Sequence, residues 1–272
     1  MVKLQAALLL ARGCISEQHP DTPYQQMAHR FQEWGLEKEW GDIARACGVW
    51  VPEDDDEVDK PMLVYEFLSK GSLHDVLHGS RRDPLNLKCR LDTAAESAEG
   101  LTYLHSKTTN VILHGDVKPA NILLDEDWTP KISDFGISRL IVKDKQHTDF
   151  VTGDRSYMDP VYLRDRLLTD RSDAYSFRVV ILELISRKKA DNNSLVREFL
   201  DAHKGKKEAT KLFDEEIAKP EVSDLLNSLY EIAVRCLNLD VDERPSMTEV
   251  AESILMLKRS WSNTLTKTSP TN

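Results

Sequence analysis

The stretch His114-Gly115-Asp116-Val117-Lys118-Pro119-Ala120-Asn121, followed by Asp134-Phe135-Gly136, decides how the rest of the chain is read. Asp134 and Asn121 offer hard oxygen donors, the type that Mg²⁺ prefers. Asp116 is a carboxylate on the same loop as Asn121, able to accept a hydroxyl proton or to orient that hydroxyl. Lys118 is a point charge suited to a phosphoryl group in flight. Residues 111–113, 122–124 and 131–133 read as short strands, with 125–130 as the turn between the last two. A hairpin of those two strands brings Asn121 near Asp134. Asp-Phe-Gly alone is a common turn and Asp-x-Lys a common string. Their combination among three short strands is the specific signal.

Outward from that block, Leu87, Leu91, Ala94, Ala98, Leu101 and Leu104 recur at offsets of three and four and predict a long amphipathic helix. Residues 173–185 are apolar on nearly every face, which predicts a helix buried all round. Further helices are expected at 195–202, 225–237 and 246–257, with a frayed Ser/Thr/Asn-rich end. Between Asp134 and about Asp170 there is little periodicity, the mark of a functional loop. Upstream, 62–65 reads as a buried strand ended by Ser69, Gly71 and Ser72, and Ser72 can cap a short helix reaching His78. Residues 1–60 differ from the rest. They hold Trp34, Trp40 and Trp50, a helical stripe at Met27, Phe31 and Trp34 continued by Trp40, Ile43 and Ala44, a strand at 49–51 and an acidic solvated loop at 53–57. The layout is α+β with a mostly helical second half.

Composition narrows the class. With 46 acidic against 36 basic residues the net charge is −10, which argues against nucleic acid as the main partner. Cys14, Cys47, Cys89 and Cys236 form no C-x-x-C pair, so neither a zinc site nor a disulfide framework is expected. No run of about 18 apolar residues is present, so no membrane-spanning helix is expected. The apolar run 4–11 lacks a small-x-small cleavage site, because Arg12 follows it, and reads as an ordinary buried element.

The block H-x-D-x-K-x-x-N, then Asn121-Ile122-Leu123-Leu124-Asp125, then Asp134-Phe135-Gly136, resembles the protein kinase superfamily. Met62-Leu63-Val64-Tyr65-Glu66-Phe67 with Gly71-Ser72-Leu73, and His114 to Pro119, resemble the plant receptor-like Ser/Thr kinases, the wall-associated subgroup in particular. Ser172-Asp173-Ala174-Tyr175-Ser176-Phe177 and Asp242-Glu243-Arg244-Pro245-Ser246-Met247 fit as well. The resemblance covers roughly 48–258 and implies a bilobal α+β kinase-like fold with a complete helical C-lobe and an incomplete or atypical N-lobe. In that scheme 1–47 replaces most of the N-lobe, 48–68 holds residual strands and the hinge, 69–258 is the C-lobe and 259–272 a polar tail. By the same resemblance Asp116 is the catalytic aspartate, with Lys118 on the phosphate side. Asn121 and Asp134 hold Mg²⁺. Tyr65 closes the back of the ATP cleft, the Glu66 carbonyl and Leu68 N–H meet the adenine edge, and Leu123 lies beneath the ring. His114 and Phe135 are stacked core residues, and Asp173 holds the catalytic loop's backbone. Thr148, Thr152, Ser156 and Tyr157 are activation-segment hydroxyls, open to phosphorylation or simply loop polarity.

The pattern also breaks. The only Val-Lys pair in 1–60 is Val2-Lys3, with Met1 alone before it, and Gly35 and Gly41 have the wrong spacing for a Gly-rich loop. The upper phosphate clamp is therefore expected to be missing, with Glu33 the nearest candidate for its helix glutamate. Gly115 replaces an arginine before the catalytic aspartate. Val161 replaces a glutamate and leaves Arg244 to find another acceptor or water. Asp154 replaces a threonine, and a carboxylate so close to Asp116 would disfavour both being charged. Arg178 replaces a glycine on the buried helix, at a cost of several kcal/mol unless it reaches solvent or a partner. Two functions follow: a protein Ser/Thr kinase using Mg-ATP, or a kinase-like pseudoenzyme that binds partners in receptor signalling. Its partners are a protein substrate or a receptor complex. Its place is the cytoplasm, including the cytoplasmic face of the plasma membrane reached through a receptor.

Overall fold

The computed structural model describes residues 68–80, 85–108, 111–135, 138–141, 153–205, 208–237 and 240–268. The expectations for 1–60 and 62–65, including Glu33, Tyr65 and Glu66, and those for Thr148 and Thr152 lie outside these residues.

Strand β1 (Gly71–Ser72) leads directly into helix α1 (Leu73–His78). Ser72 caps it as expected. Its hydroxyl accepts the Asp75 N–H at 3.1 Å, and the Asp75 carboxylate accepts the Ser72 N–H at 3.1 Å, so two end donors are satisfied reciprocally. Helix α2 (Leu87–Ser106) starts at Asn86, whose side-chain oxygen accepts the Cys89 N–H at 2.9 Å. It buries Leu91, Ala94, Ala98, Leu101 and Leu104, the stripe read from the spacing. Gly100 faces β4 so closely that a Cβ there would lie 3.2 Å from Ile132 Cγ1. A glycine in mid-helix costs about 1 kcal/mol, and here it allows the close approach.

Strands β2 (Val111–Leu113), β3 (Ile122–Leu124), β4 (Pro130–Ile132) and β5 (Arg139–Ile141) follow. The order β1-β3-β4 makes one antiparallel sheet, and β2 pairs with β5 in a second. The expected hairpin is present, with Ile122 opposite Ile132 and Leu123 opposite Lys131. Ile122 and Leu124 are buried while Leu123, on the other face, is only half-buried. The stretch with little periodicity contains two elements that the spacing did not reveal: β5, and helix α3 (Pro160–Asp165). Both are too short to show a period.

Helix α4 (Asp170–Ser186) is the centre of the lobe, and every residue from Ser172 to Ser186 is buried. Around it pack α2, α6 (Ser223–Arg235) and α7 (Met247–Thr268), with α5 (Ser194–His203) at one side. Helix α7 runs on to Thr268, well past the expected end at 257. Leu257 and Trp261 pack on the core, and Lys258 pairs with Asp92 of α2 at 2.7 Å. Ser262 and Thr264 turn their hydroxyls onto the carbonyls of Lys258 and Ser260 at 3.0 Å, so these weak helix formers bond back along the helix.

Buried charge is met in two ways. Arg244 does find another acceptor: Asp159, two residues before Val161, takes it at 2.6 and 3.0 Å with both side chains essentially unexposed. Asp159 also caps α3 through the Val161 N–H at 2.9 Å and accepts the Ser172 hydroxyl at 3.0 Å. Arg178 reaches neither solvent nor a carboxylate among the described residues. It is fully buried, its guanidinium lies 3.6 Å from the centre of the Tyr175 ring, and among the described residues none of its three nitrogens has a hydrogen-bond partner. Burial pulls its pKa down, against the pull of Tyr175. Cation–π stacking offsets about 2 kcal/mol when desolvated, short of the cost of burying an unpaired ion.

Two stability changes follow, both read from urea unfolding of the whole chain. Arg178→Met, which keeps the volume and removes the charge, is expected to stabilise by about 1–4 kcal/mol. Asp159→Ala, which strands Arg244, is expected to destabilise by about 3–5 kcal/mol.

Candidate active site

The site is built on the loop between β2 and β3. Asp173, one turn into α4 and 1% exposed, accepts the backbone N–H of His114 at 2.8 Å and of Gly115 at 2.9 Å. A third donor, His105 Nε2 from the last turn of α2, completes it at 2.8 Å. Burial pushes the Asp173 pKa up, but the hydrogen bond from His105 and the Gly115 N–H outweigh it and hold the carboxyl below its ordinary value. Gly115 adopts φ +80°, a left-handed conformation in which an arginine would be strained.

His114 is fully buried, its ring centre 4.9 Å from that of Phe135, as expected of two stacked core residues. Its Nδ1 accepts the Asp116 N–H at 3.2 Å, which places the ring proton on Nε2, donated to the Ser133 carbonyl at 2.9 Å. One imidazole thus fixes the loop to the strand that carries Asp134.

The structure brings Asp116, Lys118 and Asn121 together. Lys118 Nζ lies 2.6 Å from Asp116 Oδ2, and Asn121 Nδ2 donates to the same oxygen at 3.0 Å and to the Asp116 carbonyl at 2.8 Å. Because both acceptors are on Asp116, the Asn121 amide is oriented with its own oxygen turned away from that carboxylate. The Asn121 carbonyl receives both the N–H and the hydroxyl of Ser133, at 2.8 and 3.0 Å. Asp134 follows Ser133 directly, half-buried and at φ +63°. Asn121 and Asp134 thus occupy adjoining ends of one hairpin. Two oxygen ligands suit Mg²⁺, which keeps its remaining positions for water and substrate phosphate. Among the described residues no group of three His, Cys, Asp or Glu is placed to hold a metal.

Leu123 is the residue of β3 that faces away from the core, opposite Ser72 in β1. Leu68 is half-buried and its carbonyl accepts the Gly71 N–H at 3.2 Å. Tyr65 and Glu66 lie outside the described residues.

Asp154 behaves differently from the expectation of two clashing carboxylates. Its backbone N–H donates to Asp116 Oδ1 at 3.3 Å, while its own carboxylate turns to the Ser156 N–H at 2.9 Å. Both contacts are exposed to solvent, so the repulsion is screened. Tyr157 is a second correction. It is 5% exposed and its hydroxyl donates to Glu183 Oε1 at 2.5 Å, so it is a buried tie and no surface hydroxyl. Burial, then Glu183, push its phenol pKa up. Ser156 is half-buried.

Spacing gave no sign of Glu183. It is fully buried on α4 and gathers the Tyr157 hydroxyl, the Ala190 N–H at 3.1 Å and the His78 Nε2. The one available signal was a glutamate inside an otherwise apolar helix, which needs partners. Through it α1, the end of the activation segment and α4 share one buried acceptor.

Comparison with known proteins agrees with this geometry. Residues 44–256 match the family model of the protein kinase domain. Residues 1–42 match the model of the sucrose synthase EPBD domain. The chain is 42% identical over 221 residues to wall-associated receptor kinase 5 of Arabidopsis thaliana, covering 76% of this chain and 30% of that protein. It is 40% identical over 211 residues to putative wall-associated receptor kinase-like 16 of the same plant, covering 74% of this chain and 48% of that one. It is also 37% identical over 211 residues to the LRR receptor-like serine/threonine-protein kinase SIK1 of Oryza sativa subsp. japonica, covering 76% of this chain and 22% of that one. The chain therefore spans less than half the length of these relatives. Its fold and loop define an α+β lobe with a carboxylate–lysine–asparagine site. The chain belongs to the protein kinase family.

His74 supplies a pH prediction beside the site. Its ring centre is 5.2 Å from that of His78. Burial, then the charges of His78 and Lys189, hold its pKa below the ordinary 6.5, against Glu183 and Asp75. The unfolded chain thus takes up a proton at higher pH than the fold does. The contribution to stability is full above 6.5 and is lost as pH falls toward the folded value. In Tm measured against pH, His74→Gln is expected to flatten the slope below about pH 6.5.

Proposed function

We propose that this chain is a protein serine/threonine kinase that transfers the γ-phosphoryl group of ATP to a protein hydroxyl. The observation that carries this is the Asp116 carboxylate, held by Lys118, Asn121 and the Asp154 N–H on a loop pinned by Asp173. Asp116 orients the acceptor hydroxyl and takes its proton. Lys118 neutralises charge on the transferring phosphoryl oxygens. Glu66, Leu68 and Leu123 seat the adenine, with Tyr65 behind them. Asn121 and Asp134 would hold Mg²⁺, which would supply neutralisation of the phosphate charge. The substrates and partners are proteins, either soluble or in a receptor complex at the cytoplasmic face of a membrane. Among the described residues no helix is long and apolar enough to cross one.

A second reading, a kinase-like module that binds partners with little or no turnover, has one observation in its favour. Residues 1–42, which precede the lobe in the chain, match a model from a different family. In this reading 1–47 stands in for most of the N-lobe, 48–68 keeps its last strands and hinge, 69–258 is the working lobe and 259–272 its tail. The upper phosphate clamp is then lacking, and positioning supplies most of the rate in phosphoryl transfer.

One pair of measurements separates the two. With Mg-ATP and a generic Ser/Thr substrate, the kinase reading expects phosphorylation that falls by about 10²–10⁴-fold in Asp116→Asn. Thermal stabilisation by Mg-ATP is expected in both proteins. No phosphorylation and no Tm shift in the wild-type chain would overturn it in favour of the partner-binding module.

A further inference from the structure

Asp154 lies at the mouth of the site, exposed, in a turn that begins at Gly153 and ends where Tyr157 is tied to Glu183. Its backbone N–H reaches Asp116 Oδ1 at 3.3 Å, so a hydroxyl delivered to Asp116 arrives beside it. Its carboxylate is held in one orientation by the Ser156 N–H at 2.9 Å. No cation pairs with it among the described residues. The neighbouring charges differ in kind. Asp116 is already neutralised by Lys118 at 2.6 Å. Asp134 belongs to the metal side of the loop. Arg155, next in the chain, is exposed and has no ion pair or hydrogen bond to hold it among the described residues, so its charge has no fixed position. Glu183 is fully buried and already carries three donors. One fixed, uncompensated negative charge is therefore presented to the chain segment that brings the acceptor.

We propose that Asp154 is a specificity-determining residue that favours acceptor serines or threonines flanked by lysine or arginine and disfavours those flanked by aspartate or glutamate. This rests on the kinase reading above for its reaction, but the selection itself is a matter of binding and can be read without turnover. The size expected from one exposed charge pair is about three- to fivefold.

The test uses the full chain and two peptides that share one acceptor serine, flanked by lysine in one and by glutamate in the other. The ratio of kcat/KM for the two is measured for the wild type, Asp154→Asn and Asp154→Thr. In parallel, fluorescence polarisation without ATP follows the same peptides with the acceptor serine replaced by alanine. The wild type is expected to prefer the lysine peptide about three- to fivefold, less so at about 0.5 M salt, with both variants near parity. A wild-type ratio unchanged in Asp154→Asn, or a preference for the glutamate peptide, overturns the proposal. The second result assigns the selection to Arg155. A lysine preference in binding that depends on Asp154, without phosphorylation of either peptide, upholds the proposal and removes the kinase reading. Absence of binding by both peptides overturns the proposal and leaves the kinase reading to the phosphorylation and Mg-ATP measurements above.

Discussion

The geometry of the site depends on one buried carboxylate. Asp173 has no water to solvate it, so it is tolerable only while its donors are in place. Those donors come from the end of α2, through His105, and from two consecutive backbone N–H groups of the loop between β2 and β3. Each is a hydrogen bond to a charged acceptor, stronger than one between neutral groups. The requirement runs both ways. The loop N–H groups at 114 and 115 lie outside any strand ladder and need an acceptor, and Asp173 is that acceptor. The central helix thereby sets the position of Asp116, the next residue, and the hairpin beyond it sets Asn121 and Asp134.

Elsewhere the lobe shows how strictly a buried ion must be answered. Arg90, 1% exposed, reaches the carbonyls of Leu85 and Leu184 at 2.6 and 2.8 Å and the carboxylate of Asp214 at 2.5 Å. Arg244 keeps a bidentate partner even though the residue expected to supply it is Val161. Glu183 gathers three donors from three segments. Against these, Arg178 stands apart, with only an aromatic face to meet it among the described residues.

What the chain spelled out in its sequence was what short-range periodicity and residue chemistry encode. The stripe of α2, the all-round burial of α4, the Ser72 cap and the β3–β4 hairpin were all legible, because each repeats or terminates within a few residues. So was the grouping of Asp116, Lys118 and Asn121 on one loop, since all three lie within six residues. Contacts between residues far apart in the chain were not. Asp159 meeting Arg244 spans 85 positions, and Tyr157 meeting Glu183 spans 26, and no local pattern marks either. Tyr157 read as a loop hydroxyl, open to phosphorylation or simply polar, because its neighbours Asp154, Arg155 and Ser156 are polar, while its own ring is buried. The length of α7 was missed because Ser262 and Thr264 count against a helix unless their hydroxyls bond back to it.

Arg178 carries a consequence for temperature. The penalty for removing a charge from water arises from hydration with a strongly negative entropy, and it shrinks as temperature rises. Apolar burial around the same helix is weakest in the cold. At low temperature the two effects coincide on α4: the unanswered guanidinium costs most where the packing that encloses it contributes least. The lobe's stability curve is therefore shifted toward warmth, with a narrower margin against cold than the same helix would have with an uncharged side chain at this position.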